Sequence, residues 1–207
     1  MMLGSRDNGN SSNDECQDTE SEEQAKPPES SDATRGYVLR PLRLDDEERF
    51  LKMATASKSF HSGWVRLPLR KDEFTSLVNK SIMGDTVALA IVHESGPISG
   101  LIAIESIDQA RGAANVSFAV DVRGQRQGLI SSFLPQAIEW VQGEIGTTTF
   151  FAFVQAGNAS SEGLLRKLGF CPEEGSEITI NIEGVEKKHA RWVFRKFADL
   201  NLPQNDG

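Results

Sequence analysis

The sequence predicts a mixed α+β domain in which about four helices flank one twisted, mostly antiparallel sheet of about seven strands. Three patterns lead to this prediction. Runs of alternating apolar and polar residues are typical of strands, and runs with apolar residues three or four apart are typical of amphipathic helices. Three predicted strands follow one another in the middle of the chain with only short turns between them, which indicates an antiparallel meander. The element order, βααβββαβαββ, fits a single sheet with helices on its faces.

The first strand is predicted over GYVLRPLR, residues 36–43, and a helix over LDDEERFLKMATASKSF, residues 44–60. Asp45 is the expected N-cap of this helix, because acidic residues follow in its first turn. After the loop HSGWVRLPLR, a second helix is predicted over residues 71–83. Its apolar face consists of Phe74, Leu77, Val78 and Ile82.

The meander follows, with a predicted hairpin of TVALAIVH and ISGLIAIESI around ESGP, and AANVSFAVDV as the next strand. A helix is then predicted over residues 128–142. Pro135 lies well inside it, so either the helix kinks there or its predicted boundary is wrong. The remaining predicted elements are the strand TTTFFAFV, the short helix SSEGLLRKLG and a closing hairpin of ITINIEG and EKKHARWVFRK. The apolar stripe of the long helix consists of Leu129, Ile130, Phe133, Leu134, Ala137, Ile138 and Val141.

Residues 1–35 form a predicted disordered acidic tail, ahead of one globular domain over residues 36–197 and a short C-terminal tail, residues 198–207. The first tail contains nine acidic and three basic residues and accounts for −6 of the net charge of −8. Such a segment buries too little apolar surface to offset the entropy lost on ordering. An inert solubilising extension and a phosphorylated docking tail are both compatible with its composition.

Composition and charge disfavour several function classes. An acidic chain offers no overall basic surface for nucleic acid, and no run approaches the ~20 apolar residues that span a bilayer. The two cysteines, Cys16 and Cys171, and the three scattered histidines lack the spacing of a metal site or a disulfide framework. We therefore expect a soluble cytoplasmic protein, monomeric or homodimeric, that uses no metal, nucleic acid or membrane.

The stretch DVRGQRQGLISS, residues 121–132, joins the last strand of the meander to the long helix. Gly124 and Gly128 permit a close approach to the backbone, and the N–H groups at a helix start favour an anion. Arg123 and Arg126 add cations suited to phosphate oxygens. From these residues alone, a pyrophosphate site and a plain charged turn are equally compatible. The G-x-G-x-x-G and G-x-x-x-x-G-K-[ST] fingerprints are absent, which argues against a Rossmann or P-loop site.

Two motifs, one βα unit apart, resemble the GNAT superfamily of acyl-CoA-dependent N-acyltransferases. The phosphate loop of that family, [QR]-x-x-G-x-[GA], is matched by Gln125 and Gly128, whereas Ile130 replaces the usual small residue. NASSEGLLRKLGF, residues 158–170, is similar to N-x-x-S-x-x-L-x-x-x-G-F of the branch that includes ribosomal-protein alanine N-acetyltransferases. FHSGWV and KKHARWVF also resemble this branch, so the resemblance covers residues 36–197. The matching positions of the second motif are Asn158, Ser161, Leu164, Gly169 and Phe170.

The resemblance implies a GNAT fold with acetyl-CoA as cosubstrate. The strand before the loop would diverge from its neighbour, so that backbone groups of Phe118 and Val120 meet the pantetheine arm and polarise the thioester carbonyl. Amides from Arg126 to Ile130 would hold the pyrophosphate, with Arg123 and Arg126 as outer cations. The implied CoA-binding residues are Phe118, Val120, Arg123, Gln125, Arg126, Gln127, Gly128, Leu129, Ile130, Asn158 and Ser161.

Attack of an amine on a thioester requires removal of a proton from an ammonium and, less strictly, protonation of the thiolate. The resemblance implies Ser161 as the acid, because the single tyrosine, Tyr37, lies in the first strand, remote from the thioester. Ser161 equally suits a role at the start of its helix. The implied base is Glu173, with Glu105 on the third strand and water as alternatives; a solvated surface carboxylate is the structural alternative for both glutamates.

The remaining candidate residues belong to the acceptor side. His61 and Trp64 lie in the loop that walls the acceptor site in this fold, whereas His189 is expected to be structural and His93 exposed. The predicted function is transfer of an acetyl group from acetyl-CoA to a primary amine, either a protein N-terminus or a small amine. A non-catalytic sensor of CoA thioesters is the alternative, favoured by the missing tyrosine acid and the proline-containing helix.

Overall fold

The structure, a computed structural model, describes residues 34–94, 96–182 and 184–195. Nearly all of the predicted acidic tail, residues 1–35, and all of the predicted C-terminal tail, residues 198–207, lie outside the described residues. Thr34, assigned to the tail by sequence, is described and is 6% exposed, so the ordered domain includes it.

The described part of the chain contains eight strands and five helices, which confirms the mixed α+β prediction. The strands are β1 (Tyr37–Pro41), β2 (Thr86–His93), β3 (Ile98–Asp108), β4 (Ala113–Val120), β5 (Thr149–Gln155), β6 (Cys171–Pro172), β7 (Ile178–Ile182) and β8 (Val185–Arg195). The helices are α1 (Glu47–Ala56), α2 (Lys58–His61), α3 (Lys71–Met83), α4 (Leu129–Ile145) and α5 (Ala159–Lys167).

All strands belong to one sheet in the order β1-β2-β3-β4-β5-β8-β6, and β7 also pairs with β8. The pairing between β4 and β5 is parallel, and every other pairing in the described residues is antiparallel. The parallel pairing follows from its connection, because α4 crosses over the sheet between β4 and β5, whereas short turns join β2 to β3, β3 to β4 and β7 to β8 as antiparallel neighbours. The two-residue strand β6 was not predicted, since it is too short to show alternation.

Helices pack on both faces of the sheet and divide the core in two. On one face, α4 buries all seven residues of its predicted apolar stripe against the strands, together with Leu165 and Phe170 from the α5 region. On the other face, Phe50 of α1 and Phe74 of α3 are fully buried and their rings lie 5.2 Å apart. The strand order and these helices together leave the ends of β4 and β5 uncovered for a site.

Three local predictions need correction. Asp46, and not Asp45, caps the first helical segment: its fully buried carboxylate accepts from Arg43 N–H at 3.0 Å and from Arg40 at 2.7 Å, whereas Asp45 is exposed. That segment is also not one helix, since a 3-10 turn precedes α1 and a break at Ser57 separates α1 from α2.

The third correction concerns Ile82, which is 71% exposed although Phe74 and Val78 of the same predicted face are buried. At about 100° per residue, Ile82 is rotated by about 80° from Phe74, so the stripe turns away from the sheet in the last turn of α3. Pro135 does not end α4, which extends ten residues beyond it and three beyond the predicted boundary.

Candidate active site

A V-shaped opening in the sheet forms the centre of the site. β4 and β5 pair only at their first three residues, Ala113–Asn115 with Thr149–Phe151, and diverge beyond them. The C-terminal half of β4 therefore has a strand neighbour, β3, on one side and no strand on the other. This divergence agrees with the prediction for the strand that precedes the loop.

The backbone groups directed into the opening can be identified from the hydrogen bonds at the end of β4. The N–H of Asp121 donates to the carbonyl of Ser99, in β3, at 2.8 Å. Because successive residues of a strand direct their backbone groups to opposite edges, those of Val120 and Phe118 are directed into the opening. The Val120 carbonyl is indeed within 2.8 Å of Nε2 of His61, across the opening from β3.

The turn after β4 is organised by the buried carboxylate of Asp121. It accepts from the Arg123 N–H at 2.8 Å and from the Arg123 guanidinium at 2.8 and 2.7 Å. Burial acts to raise the pKa of Asp121, but the hydrogen bonds from Arg123 and the nearby charges outweigh it and hold the pKa below its usual value. Arg123, predicted as an outer cation for the pyrophosphate, is paired with Asp121 in the structure, and it does not line the opening.

The N-terminus of α4 follows this turn. Gly128 immediately precedes the helix with φ +72°, a left-handed conformation that favours glycine, and Arg126 has φ +59°. The first N–H groups of α4 have no partner within the helix and carry the positive end of its dipole. Gln127 lies outside the lining of the opening, where its side chain donates to the Arg123 carbonyl at 3.1 Å and accepts from the Tyr37 hydroxyl at 3.3 Å.

The opposite wall of the opening is the start of α5. Asn158 is the N-cap of this helix, and its Oδ1 accepts from the Ser161 N–H at 3.2 Å. Gly169, with φ +84°, ends the helix, as its motif predicts. Asn158 and Ser161 both line the opening, so the second motif lies opposite the first.

The opening is part of a cavity of about 1030 Å³. Nine of the predicted CoA-binding residues line it: Phe118, Val120, Gln125, Arg126, Gly128, Leu129, Ile130, Asn158 and Ser161. The far wall is formed by the α2 region, with Phe60, His61 and Trp64, and by the β7–β8 hairpin, with Ile180 and Ile182. A cavity of this size is adequate for a large ligand and an acceptor on opposite sides of the sheet.

Neither predicted glutamate base lines the cavity. Glu173 forms ion pairs with Arg191 at 3.0 Å and Arg195 at 3.8 Å, because β8 brings these arginines beside the end of β6. Glu105 lies 3.5 Å from the hydroxyl of Ser117, and it is Ser117 that lines the cavity. Direct contact between either carboxylate and a ligand in the cavity would require these side chains to move.

Two histidines line the cavity, and both are buried. His61 is 8% exposed, and burial lowers its pKa, against the opposing effects of the Val120 carbonyl and the Asp121 carboxylate. His189 is 3% exposed, and its Nδ1 lies 2.9 Å from the Lys187 carbonyl. His93, expected to be exposed, is half-buried and packs edge-on against Tyr37.

Two amide oxygens in the cavity wall were missed by the sequence reasoning. Asn115 Oδ1, where β4 and β5 begin to diverge, and Gln155 Oε1, at the end of β5, are buried without a hydrogen-bond partner in the described structure. Buried polar atoms are normally paired, so these oxygens are suited to a donor on a ligand or a water. The available signal in the sequence was an amide side chain within a mainly apolar strand.

Two features are absent from the described residues. No group of three histidine, cysteine, aspartate or glutamate side chains is arranged to hold a metal ion there. Within the same residues, no helix is both long and apolar enough to cross a membrane.

Comparison with known proteins gives a family match. The model of the acetyltransferase (GNAT) domain family matches residues 37–171. No curated protein matches the chain.

Solved structures share the fold at low sequence identity. A ribosomal-protein-S5-alanine acetyltransferase from Vibrio fischeri is 16% identical, with 79% of this chain and 94% of that one covered and a TM-score of 0.71. RimJ from Mycobacterium smegmatis, in complex with CoA-disulfide, is 17% identical, with 81% and 84% covered and a TM-score of 0.69. A spermidine N-acetyltransferase from Vibrio cholerae, with CoA and spermine, is 16% identical, with 77% and 95% covered and a TM-score of 0.66.

Proposed function

Because the chain belongs to the acetyltransferase (GNAT) domain family and is therefore an N-acetyltransferase, we propose that it transfers an acetyl group from acetyl-CoA to the N-terminal amine of a protein. The observation that carries the proposal is the divergence of β4 from β5, which leaves backbone groups of Phe118 and Val120 directed into a large cavity. The start of α4 borders the same cavity.

We assign the CoA pyrophosphate to the start of α4. The unpaired N–H groups from Leu129 onward, the positive end of the helix dipole and the exposed Arg126 guanidinium all favour an anion there. Gly128 has no side chain, so a phosphate can approach its backbone closely. Its φ is unfavourable for other residues, and a Cβ there would lie 3.4 Å from Ser131 Oγ. The pantetheine arm would then extend along the free edge of β4 and pass Asn158 on the opposite wall.

The thioester carbonyl would be polarised by backbone N–H groups at this edge. The Val120 carbonyl is already bonded to His61, and a carbonyl could not donate in any case, so the N–H groups of Val120 and Phe118 are the candidates. Donors held in place by a strand lose little entropy when charge develops on the carbonyl oxygen, which is why such groups are effective. Ser161 remains the proposed acid for the departing thiolate, since it lines the cavity beside Asn158.

The charges of the cavity favour a protein N-terminus over a polyamine. Among the lining residues in the described part of the chain, the permanently charged side chains are Arg66 and Arg126. The charge of Arg66 is paired with Glu73 at 2.6 Å, so Arg126 is the lining charge that repels a polycation. The apolar far wall and the unpaired oxygens of Asn115 and Gln155 suit a short peptide that offers N–H groups.

The test compares acceptors at matched concentration. Purified protein with acetyl-CoA is assayed against peptides with small N-terminal residues and against spermidine, by release of free thiol and by mass of the product. We expect acetylation of peptide α-amines with kcat/KM at least tenfold above that of spermidine. Peptides blocked at the N-terminus are the control and should give no product. Preference for spermidine would contradict the proposed acceptor, and CoA binding without transfer to any amine would indicate a CoA sensor instead.

A further inference from the structure

His61 is held in one ring orientation by a single backbone contact. It is the last residue of α2, and its Nε2 lies 2.8 Å from the Val120 carbonyl. A carbonyl can only accept a hydrogen bond, so Nε2 carries the proton, and in the neutral ring Nδ1 keeps the lone pair. The ring thus has a donor side bound to the end of β4 and a basic side.

The basic side of the ring is accessible from the cavity. His61 lines the cavity. The side-chain atoms that are buried without a hydrogen-bond partner in the described structure belong to Asn115 and Gln155, and Nδ1 of His61 is not among them. Around it, Phe60 packs with its ring centre 4.8 Å from that of the imidazole, and Trp64 and Val65 continue the apolar wall. An accessible lone pair on an apolar wall is suited to a proton from a cationic substrate.

The electrostatic surroundings keep the ring neutral. Burial lowers the pKa of His61 below 6.5, and the opposing charge of Asp121, across the turn after β4, is paired with Arg123. Arg66, on the loop that follows α2, lines the same cavity, but its charge is paired with Glu73 at 2.6 Å. At neutral pH the ring is therefore a base and not an acid.

We propose that His61 is the general base of the acetyl transfer, accepting the proton of the substrate ammonium at Nδ1. The inference rests on the proposed function. The neutral amine attacks the thioester carbon, forming the C–N bond as the carbonyl electron pair moves to oxygen. When the carbonyl re-forms, the C–S bond breaks and its electron pair leaves on sulfur, which takes the hydroxyl proton of Ser161 as that hydroxyl receives the second proton of the amine. The imidazolium then releases its proton to solvent.

The position of His61 is better suited to this step than that of the glutamates. The ring is bonded to the same strand edge that directs the Val120 and Phe118 backbone groups into the cavity. Glu173 is instead paired with two arginines, and Glu105 is separated from the cavity by Ser117.

Two substitutions separate the roles of the cavity histidines. In His61→Gln, the amide nitrogen occupies the place of Nε2 and can still donate to the Val120 carbonyl, but no basic nitrogen remains. His189 is the matched control, because it is also buried in the cavity wall and also held by one carbonyl, through Nδ1. His189→Asn keeps that donor in the corresponding place.

The experiment measures kcat from pH 5 to 9 at saturating acetyl-CoA and peptide, the Kd for CoA, and the ¹⁵N shifts of the imidazoles. In the wild type, kcat should fall as pH decreases through an apparent pKa below 6.5, because the imidazolium has no lone pair. We expect His61→Gln to lower kcat by about 100-fold or more and to remove this acidic limb, with the Kd for CoA unchanged within twofold. His189→Asn should keep the acidic limb, whatever its effect on kcat, because the limb belongs to His61.

Each outcome decides the matter. A His61→Gln protein with wild-type kcat, or with the limb intact, would overturn the inference while leaving the proposed function in place. A limb lost in His189→Asn, or an Nδ1-protonated neutral tautomer of His61, would also overturn it. Weaker CoA binding with an unchanged pH profile would reduce His61 to a positioning residue for β4. A wild-type protein that transfers no acetyl group would refute the proposed function and the inference together.

Discussion

Asn158 combines two roles in one side chain. Its Oδ1 caps α5 through the Ser161 N–H, while the residue also forms part of the cavity wall opposite β4. The amide nitrogen is the group left for a ligand. Sequence alone could assign the cap, because an asparagine before a helix is typical of one, but whether the same residue contacts CoA depends on its place across the opening.

Two substitutions at this position separate the cap from the ligand contact. Asn158→Ala should lower the free energy of unfolding by about 1 kcal/mol, because a helix N–H loses its acceptor. Asn158→Asp should retain the stability, since aspartate caps equally well, yet weaken CoA binding, because it has no amide donor and adds a negative charge. Urea unfolding and calorimetric titration with CoA measure the two effects. Equal CoA affinity in wild type and Asn158→Asp would remove Asn158 from the binding site.

The side-chain partners were the least predictable part at the residue scale. The resemblance implied Glu173 as the base, but Arg191, which pairs with its carboxylate, is 18 residues away in the chain. The contact between His61 and Val120 spans 59 residues. Nothing local in the sequence indicates such pairs, because they arise only when the sheet brings distant strands and loops together.

At the scale of elements, the junction of β4 and α4 was predictable because its signals are local. An apolar strand, two glycines and an apolar helix follow one another directly between residues 113 and 145. The structure adds a reason for each glycine: a Cβ at Gly124 would lie 3.3 Å from Leu129 Cδ1, a tight contact, and Gly128 has positive φ. Pro135 could not be judged from sequence, since whether a helix tolerates a proline depends on its packing, and α4 is buried along its length.

The junction yields a prediction with an internal control. Gly128→Val should abolish CoA binding, because a β-branched side chain strains the left-handed backbone and projects beside the free N–H groups. Gly146→Val introduces the same kind of strain at the other end of α4, where φ is +78° and a Cβ meets nothing within 4 Å. Both variants should lose about 1–2 kcal/mol of stability.

The comparison is read by titration with CoA after circular dichroism confirms the fold of each variant. Only Gly128→Val should lose affinity. If both variants bind CoA like the wild type, the stretch is a charged turn and not a phosphate site.

At the scale of the whole molecule, the sheet consists of two parts joined weakly. β1 to β4 form one part and β5 to β8 the other, and the parallel pairing of Ala113–Asn115 with Thr149–Phe151 is their only strand contact in the described residues. The element order predicted a single sheet, but it could not indicate how far β4 and β5 stay paired. The alternation of apolar and polar residues along a strand is the same whether or not a neighbouring strand pairs with its edge.

From this division we expect the thermal stability of the whole domain to depend on CoA. A ligand seated between β4 and α5 contacts both parts, so it stabilises their association as well as its own site. At a CoA concentration 100 times the Kd, linkage adds about 2.7 kcal/mol to the free energy of unfolding. For a domain of this size, the melting temperature should therefore rise by roughly 5–10 °C.

Amide exchange locates the effect, since protection should increase on both sides of the opening, at the end of β4 and at the start of α5. Gly128→Val should show neither the rise in melting temperature nor the protection. Protection limited to α4, with no change in α5, would place CoA on one part of the sheet alone and would contradict a ligand that bridges the two, because a bridging ligand must slow the opening of each part that it contacts.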